Sequence, residues 1–234
     1  MKNAFKALQD RFLGGASPSV PCEDSWIGLR EEMIEKQIRQ RGVIDETVLA
    51  ALASVPRHEF VPPEYLSRAY GDLPLPIGED QTISQPYIVA AMTAALQLRG
   101  NERVLEIGTG CGYQTAVLAR LAKEVHTVEF RHRLATAAEE RLARLGYTNV
   151  KVHCGDGTLG LAEFAPFDAI LVAAAAPAVP PPLLAQLADG GRLIIPVGAT
   201  ENQELYLIQR KGGAFITKKL DACRFVPLLG YYGV

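Results

Sequence analysis

The segment that most constrains the fold runs from Val104 to Tyr113 and reads VLEIGTGCGY. Its first four residues are mostly apolar, as in a buried strand, and glycines follow at 108, 110 and 112 before a helix-like stretch begins. Glycines at such a turn let backbone N–H groups approach a ligand where a side chain would block them. The segment therefore predicts a strand, a ligand-binding turn and a helix in direct succession.

The bulk composition describes an ordinary globular chain. It has 234 residues, of which 48% are hydrophobic and 21% charged, which suits one compact domain. A formal net charge of −2 provides no basic field for nucleic acid, and no apolar run is long enough for a bilayer. The four cysteines form no C-x-x-C pair, the four histidines form no metal motif, and we read no signal peptide. We therefore expect a cytoplasmic protein without a metal, a membrane or a nucleic-acid partner.

Strands and helices alternate from Arg103 onward. The predicted strands are 104–107, 125–128, 150–153, 167–173 and 192–197, and the predicted helices are 114–121, 134–145 and 182–188. Such a series predicts an α/β fold with a doubly wound, mostly parallel sheet, and Glu204–Arg210 with Ala214–Leu220 adds a C-terminal antiparallel hairpin. Ligands bind at the carboxyl ends of the strands in these sheets.

The residues before the alternating region form an N-terminal helical segment, 27–100, ahead of the α/β core, 101–234. We predict a helix over Leu29–Arg41 ended by Gly42, a second helix capped by Asp45, and a third opened by Pro86. Glycines and prolines between 63 and 81 predict irregular structure there. Residues 1–26 are interpreted as a loosely attached leader.

Two carboxylates follow predicted strands. Glu129 ends the second strand, where a doubly wound sheet brings a carboxylate to the ribose hydroxyls of a nucleoside; the alternative is a solvated strand-end charge. Asp156 stands between two glycines after the third strand. It either accepts a hydrogen bond from an exocyclic amine such as that of adenine, or simply forms a turn.

Several motifs resemble known families. The G-x-G-x-G spacing, with Glu106 two positions before it, resembles motif I of S-adenosylmethionine-dependent methyltransferases. Asp80–Ala90 and Pro56–Pro62 resemble the protein-L-isoaspartate O-methyltransferase family more specifically. Three further stretches agree with that family, namely 108–113, 174–177 and 224–228. The resemblance covers about Leu29 to Gly230, with two departures: Asp80 replaces a frequent glycine, and Ala173 replaces a frequent threonine or serine.

The resemblance implies a Rossmann-like class I methyltransferase that uses S-adenosyl-L-methionine, yields S-adenosyl-L-homocysteine and acts, as a monomer, on isoaspartyl peptides and proteins. Ser84 matches the family's active-site hydroxyl. The residues expected to bind the cofactor are Glu106, Gly108, Thr109, Gly110, Gly112, Glu129, Asp156 and Gly157. The residues expected to bind the substrate, which belong mainly to the N-terminal segment, are His58, Val61, Thr82, Ile83, Arg224 and Val226.

The chemistry of such a transfer needs little from the protein. A carboxylate of pKa about 4 is already ionised at neutral pH, so catalysis is mainly alignment of the reacting atoms and exclusion of water. The Ser84 hydroxyl would donate a hydrogen bond that orients the carboxylate, although a serine just before Pro86 can also cap a helix. The strand around Phe225–Pro227 could pair its edge with an extended peptide.

Three other functions compete with this interpretation. One is a methyltransferase of the same fold that acts on a small molecule or a nucleic acid, and another is a binding module without catalytic activity. The third is a nucleotide-dependent oxidoreductase, which is disfavoured because Tyr113 stands where the third glycine of a dinucleotide fingerprint belongs.

Overall fold

The computed structural model describes residues 23–199 and 202–234. Most of the predicted leader therefore lies outside the described residues. Its last four residues, however, open the first helix, and Trp26 is buried in the core. No helix in the described part of the chain is long and apolar enough to cross a bilayer.

A seven-stranded sheet forms the centre of the molecule, with the order β5-β4-β3-β6-β7-β8-β9. Its strands are β3 (Arg103–Ile107), β4 (Glu124–Glu129), β5 (Val150–Cys154), β6 (Phe167–Val172), β7 (Leu187–Ala199), β8 (Asn202–Lys211) and β9 (Ala214–Cys223). Strands β3 to β7 pair in parallel, whereas β8 and β9 are antiparallel. The predicted doubly wound sheet and its C-terminal hairpin are confirmed. The strand order reverses beside β3, which is where such sheets bind their ligands.

Within the described residues, six α-helices accompany the sheet. They are α1 (Glu23–Glu32), α2 (Glu46–Ser54), α3 (Pro86–Leu96), α4 (Tyr113–Ala119), α5 (His132–Arg144) and α6 (Pro181–Ala185). Alternate strand residues enter two hydrophobic clusters, with Val104 and Leu171 in one and Leu105 and Ile170 in the other. The sheet is therefore buried on both faces, as a parallel sheet requires.

The local signals in the N-terminal segment were mostly correct. Gly42 adopts a left-handed conformation with φ of 94°, and the Asp45 side chain accepts hydrogen bonds from two backbone N–H groups of α2. The first helix starts earlier than predicted and reaches Arg41 through a π-helical turn and a 3-10 turn. The prediction of a helix to 188 was wrong, because α6 ends at Ala185 and β7 begins at Leu187.

The irregular structure predicted up to residue 81 was wrong in one place. Leu75–Gly78 (β1) and Gln81–Ile83 (β2) form a small antiparallel hairpin. Glu79 and Asp80 make its turn with φ of 52° and 57°, in the left-handed region that favours glycine. Asp80 thus stands in a backbone conformation that a glycine would adopt without strain.

Candidate active site

An open cavity lies at the carboxyl ends of β3, β4 and β6. Its walls come from the glycine turn (residues 108–112), the end of β4, the strand β2 and the C-terminal segment (residues 224–234). Of the predicted site residues, those that line it are Thr82, Ile83, Ser84, Gly108, Thr109, Gly110, Glu129, Gly157 and Val226. Positions separated widely in sequence are therefore brought together as expected.

Two glycines in this cavity wall have a structural reason. Gly108 has φ of 94°, in the left-handed region where a larger residue would be strained. At Gly157 a Cβ would lie only 2.5 Å from Cγ2 of Ile107, so a larger residue would require the Ile107 side chain to shift. Gly112 has a different place: it precedes α4 and packs against Leu142, and it does not line the cavity.

The Glu129 carboxylate forms one wall of the cavity. The side chain is only 6% exposed, and its Oε2 atom accepts a hydrogen bond of 2.8 Å from the Gly110 N–H. Its Oε1 atom accepts one of 3.0 Å from the Arg131 N–H. Each carboxylate oxygen has two acceptor positions, so both oxygens can still accept a hydrogen bond from a ligand hydroxyl.

Glu106 does not reach the cavity, which corrects its assignment as a cofactor ligand. Its carboxyl group is fully buried beneath the glycine turn, and Oε2 accepts hydrogen bonds from Thr115 at 2.5 Å and Thr127 at 2.7 Å. The Thr127 hydroxyl also lies 2.7 Å from that of Thr109. Burial raises the pKa of Glu106 to about 8. This residue supports the turn from below.

Asp156 also departs from its predicted role as a contact to adenine. Its Oδ1 atom accepts hydrogen bonds from the backbone and the hydroxyl of Thr158, and its Oδ2 atom accepts one from the Tyr231 N–H. The neighbouring Gly157 lines the cavity, whereas Asp156 does not. The alternative interpretation, an aspartate that organises the chain locally, fits these contacts.

A wider groove adjoins the cavity and contains Arg224. The residues common to both are Thr82, Ser84, Ala173, Val226 and Pro227. Ser84 is half-buried at this boundary, and Gln85, not Ser84, is the residue that precedes the first turn of α3. The Ser84 hydroxyl is therefore not used as a helix cap, and the residue lines both the cavity and the groove.

Two predicted substrate contacts lie elsewhere. His58 is buried, with Nδ1 2.8 Å from the Tyr70 hydroxyl and its ring stacked on Trp26 at a centroid distance of 4.5 Å. Val61 is buried in the same core. Neither residue lines the cavity or the groove, because the segment folds inward against α1.

The C-terminal segment contributes more than the sequence indicated. Leu228, the last residue of the stretch 224–228 that resembles the family, and Leu229, just after it, both line the cavity. The Ala175 N–H donates to the Val226 carbonyl, and the Leu228 N–H donates to the Ala175 carbonyl, each at 2.8 Å. This pairing holds the segment across the end of β6. The alanine run 174–177 was the one local signal for it.

No group of three or more His, Cys, Asp or Glu side chains within 23–199 and 202–234 is placed to hold a metal ion. The site combines three features: a parallel sheet whose strand order reverses beside β3, a glycine turn, and the Glu129 carboxylate at the end of the next strand, β4. Together they define the class of S-adenosylmethionine-dependent methyltransferases.

Comparison with known proteins narrows this class. The family model described as protein-L-isoaspartate(D-aspartate) O-methyltransferase matches residues 29–232. The chain therefore belongs to the protein-L-isoaspartate(D-aspartate) O-methyltransferase family.

Individual relatives agree with the family match. The chain is 52% identical to protein-L-isoaspartate O-methyltransferase 2 of Shewanella sediminis, over 91% of this chain and 88% of the relative. It is 55% identical to the protein-L-isoaspartate O-methyltransferase of Koribacter versatilis, over 87% of this chain and 92% of the relative.

Solved structures show the same likeness. A protein-L-isoaspartate O-methyltransferase superposes with a TM-score of 0.80 at 33% identity, over 87% of this chain and 67% of that one. A Plasmodium falciparum structure, described as a protein of the same kind in complex with S-adenosyl-L-homocysteine, has a TM-score of 0.76 at 28% identity. That superposition covers 86% of this chain and 98% of the Plasmodium chain.

Proposed function

We propose that this protein transfers a methyl group from S-adenosylmethionine to the side-branch carboxylate of L-isoaspartyl residues in peptides and proteins. The observation that carries the proposal is the position of Ser84 on the wall common to the cavity and the groove. A hydroxyl at that boundary can hold an acceptor carboxylate against a methyl donor. The proposed enzyme works as a monomer in the cytoplasm.

The residues of the cavity fit the cofactor. Gly108 and Gly157 leave backbone surface exposed to a ligand, the first in a left-handed conformation and the second where a Cβ would overlap Ile107. Glu129 presents acceptor positions suited to ribose hydroxyls, and Thr109 and Gly110 complete the turn beside it. When bound, S-adenosylmethionine supplies an electrophilic methyl group on a sulfonium leaving group.

The protein then has to orient and desolvate the acceptor. Ser84 donates a hydrogen bond to one carboxylate oxygen and leaves the other free to react. A neutral hydroxyl orients the carboxylate without direct contact between the carboxylate and a cation, a contact that would reduce the nucleophilicity of the carboxylate. Val226 and Pro227 exclude water along the same wall. No general base is required, because the acceptor is ionised at neutral pH.

The groove gives the peptide its place. Thr82 and Arg224 flank Ser84 there, and both are polar enough to bond main-chain groups of an extended segment. Recognition of main chain accommodates many neighbouring side chains. A protein that acts on damaged residues in varied sequences needs this tolerance.

The test uses labelled S-adenosylmethionine and two peptides that differ only in an isoaspartyl or an aspartyl residue. We expect base-labile label on the isoaspartyl peptide alone. Transfer to neither peptide, with S-adenosylhomocysteine still bound in calorimetry, would contradict the proposal and favour a small-molecule acceptor.

A further inference from the structure

Arg57 is a fully buried cation close to the proposed active site. None of the sequence motifs assigned it a role. Its Nε atom donates to the Ala69 carbonyl and its Nη2 atom donates to the Ser84 carbonyl, both at 2.8 Å. The second bond attaches the guanidinium to the main chain of the residue that would orient the substrate.

The other side of the guanidinium contacts the cofactor half of the site. Its carbon atom lies 4.7 Å from the centroid of the Tyr113 ring. Tyr113 begins α4 directly after the glycine turn and lines the cavity. Arg57 thus lies immediately behind two wall residues, Ser84 and Tyr113, that come from separate parts of the chain.

Among the described residues no ion pair joins Arg57 to a carboxylate; its partners are two main-chain carbonyls and the Tyr113 side chain. A guanidinium remains protonated in proteins, and burial of a charge without a counterion is costly. A neutral side chain could fill this space and bond one carbonyl at lower cost. The positive charge therefore has a use beyond packing.

We propose that Arg57 is a positioning residue, whose guanidinium fixes the Ser84 main chain and provides the positive potential that attracts the ionised substrate carboxylate. The inference rests on the proposed function. Arg57 does not touch the substrate; it acts through Ser84 and through the field behind the wall. At an effective dielectric of about 20, a charge within about 8 Å changes the binding constant of a second charge by about tenfold or more.

The experiment compares two peptides that differ only in the side-branch group, an isoaspartyl carboxylate or the corresponding amide. Dissociation constants are measured by calorimetry with S-adenosylhomocysteine present. For Arg57→Gln we expect about tenfold weaker binding of the carboxylate peptide. The amide peptide and S-adenosylhomocysteine should bind within about twofold of the unmodified protein. A merely structural role would weaken both peptides alike.

Arg210→Gln is the matched control, because the Arg210 guanidinium also donates to a main-chain carbonyl, that of Leu187, away from the cavity and the groove. We expect this variant to bind both peptides normally. Arg57→Lys keeps the charge but not the planar two-carbonyl geometry. It should retain the preference for the carboxylate peptide and lose about tenfold in kcat, because Ser84 is less firmly held.

Equal losses for the two peptides in Arg57→Gln, or no loss for either, would overturn the inference. If Arg57→Gln does not fold, loss of the carboxylate preference in folded Arg57→Lys would overturn it instead. The proposed function is judged separately, by methyl transfer in the unmodified protein. Normal methyl transfer by the unmodified protein, together with unchanged peptide binding in the Arg57 variants, would reject only the role of Arg57.

Discussion

The Tyr231 backbone N–H donates a 2.8 Å hydrogen bond to Oδ2 of Asp156, and so joins the last residues of the chain to the end of β5. Gly230 is tightly packed there, since any Cβ at that position would overlap the Asp156 carboxylate. Leu228 and Leu229, just before this contact, line the proposed cofactor cavity. Asp156 therefore acts on the cavity through the C-terminal segment.

This relationship predicts that Asp156→Ala and removal of residues 231–234 both weaken S-adenosylhomocysteine binding. Each change should cost about tenfold, because each removes one partner of the same hydrogen bond. In a double-mutant cycle measured by calorimetry, the combined loss should be smaller than the sum of the two, and any further loss from Asp156→Ala in the shortened chain is expected from its bonds to Thr158. Fully additive losses would contradict a link through the Tyr231 hydrogen bond.

Ser84→Ala should lower kcat for an isoaspartyl peptide by about 100-fold, since one oriented hydrogen-bond donor is lost. Binding of S-adenosylhomocysteine should stay within about twofold, because the substitution removes only a hydroxyl at the cavity boundary. Steady-state kinetics and calorimetry measure the two quantities. Equal losses in both would show that Ser84 shapes the cofactor cavity instead.

Glu129→Gln should weaken S-adenosylhomocysteine binding by about tenfold or more, because an amide offers one acceptor oxygen where the carboxylate offers two. The Gly110 N–H also loses a charged acceptor. The control is Glu139→Gln, on the exposed surface of α5, which should leave binding unchanged. Unaltered affinity in Glu129→Gln would remove this residue from the ribose site.

Two neighbouring histidines, the buried His126 and the half-buried His153, predict a loss of stability in mild acid. Nδ1 of His126 lies 3.2 Å from Nε2 of His153, and burial lowers the pKa of both residues below 6.5. Because the unfolded chain binds protons more readily, their contribution to stability is present above pH 6.5 and is lost as the pH falls toward the folded values.

Denaturant unfolding from pH 5 to 8 checks this expectation. His126→Gln should flatten the decline below about pH 6.5, whereas the exposed His132→Gln should preserve it. An unchanged slope in His126→Gln would mean that other groups cause the acid sensitivity.

Glu106 predicts the opposite pH dependence. Burial raises its pKa from 4.5 to about 8, so the folded state holds a proton that the unfolded state releases. This contribution is full below pH 4.5 and is lost as the pH rises through about 8. From pH 5 to 8 the free energy of unfolding of the unmodified protein should therefore fall relative to that of Glu106→Gln. A constant difference between the two would contradict a buried, protonated Glu106.

Local patterns predicted the elements that local physics determines. The apolar strands, the glycine turn, the Asp45 cap and the Gly42 stop each depend on a few adjacent residues, and the structure contains all of them. The β1–β2 hairpin was missed because its strands are short and its turn uses Glu79 and Asp80 in a conformation that sequence rules reserve for glycine.

The site was harder to predict because it depends on which side chains the fold buries. Glu106 precedes the glycine turn in sequence and Glu129 ends the following strand, yet Glu106 lies buried beneath the turn and Glu129 forms part of the cavity wall. His58 belongs to a motif that matches the family, but it packs against Trp26. The role proposed for Arg57 has no local signature at all, since both of its carbonyl partners are distant in sequence.

The wall shared by the cavity and the groove couples the binding of the two ligands. Thr82, Ser84, Ala173, Val226 and Pro227 belong to both spaces, so a shift of this wall on filling one space alters the other. Linkage then demands symmetry: whatever factor the cofactor adds to the affinity for peptide, the peptide must return to the affinity for cofactor. A damaged protein chain would thus change how tightly the methyl donor is bound.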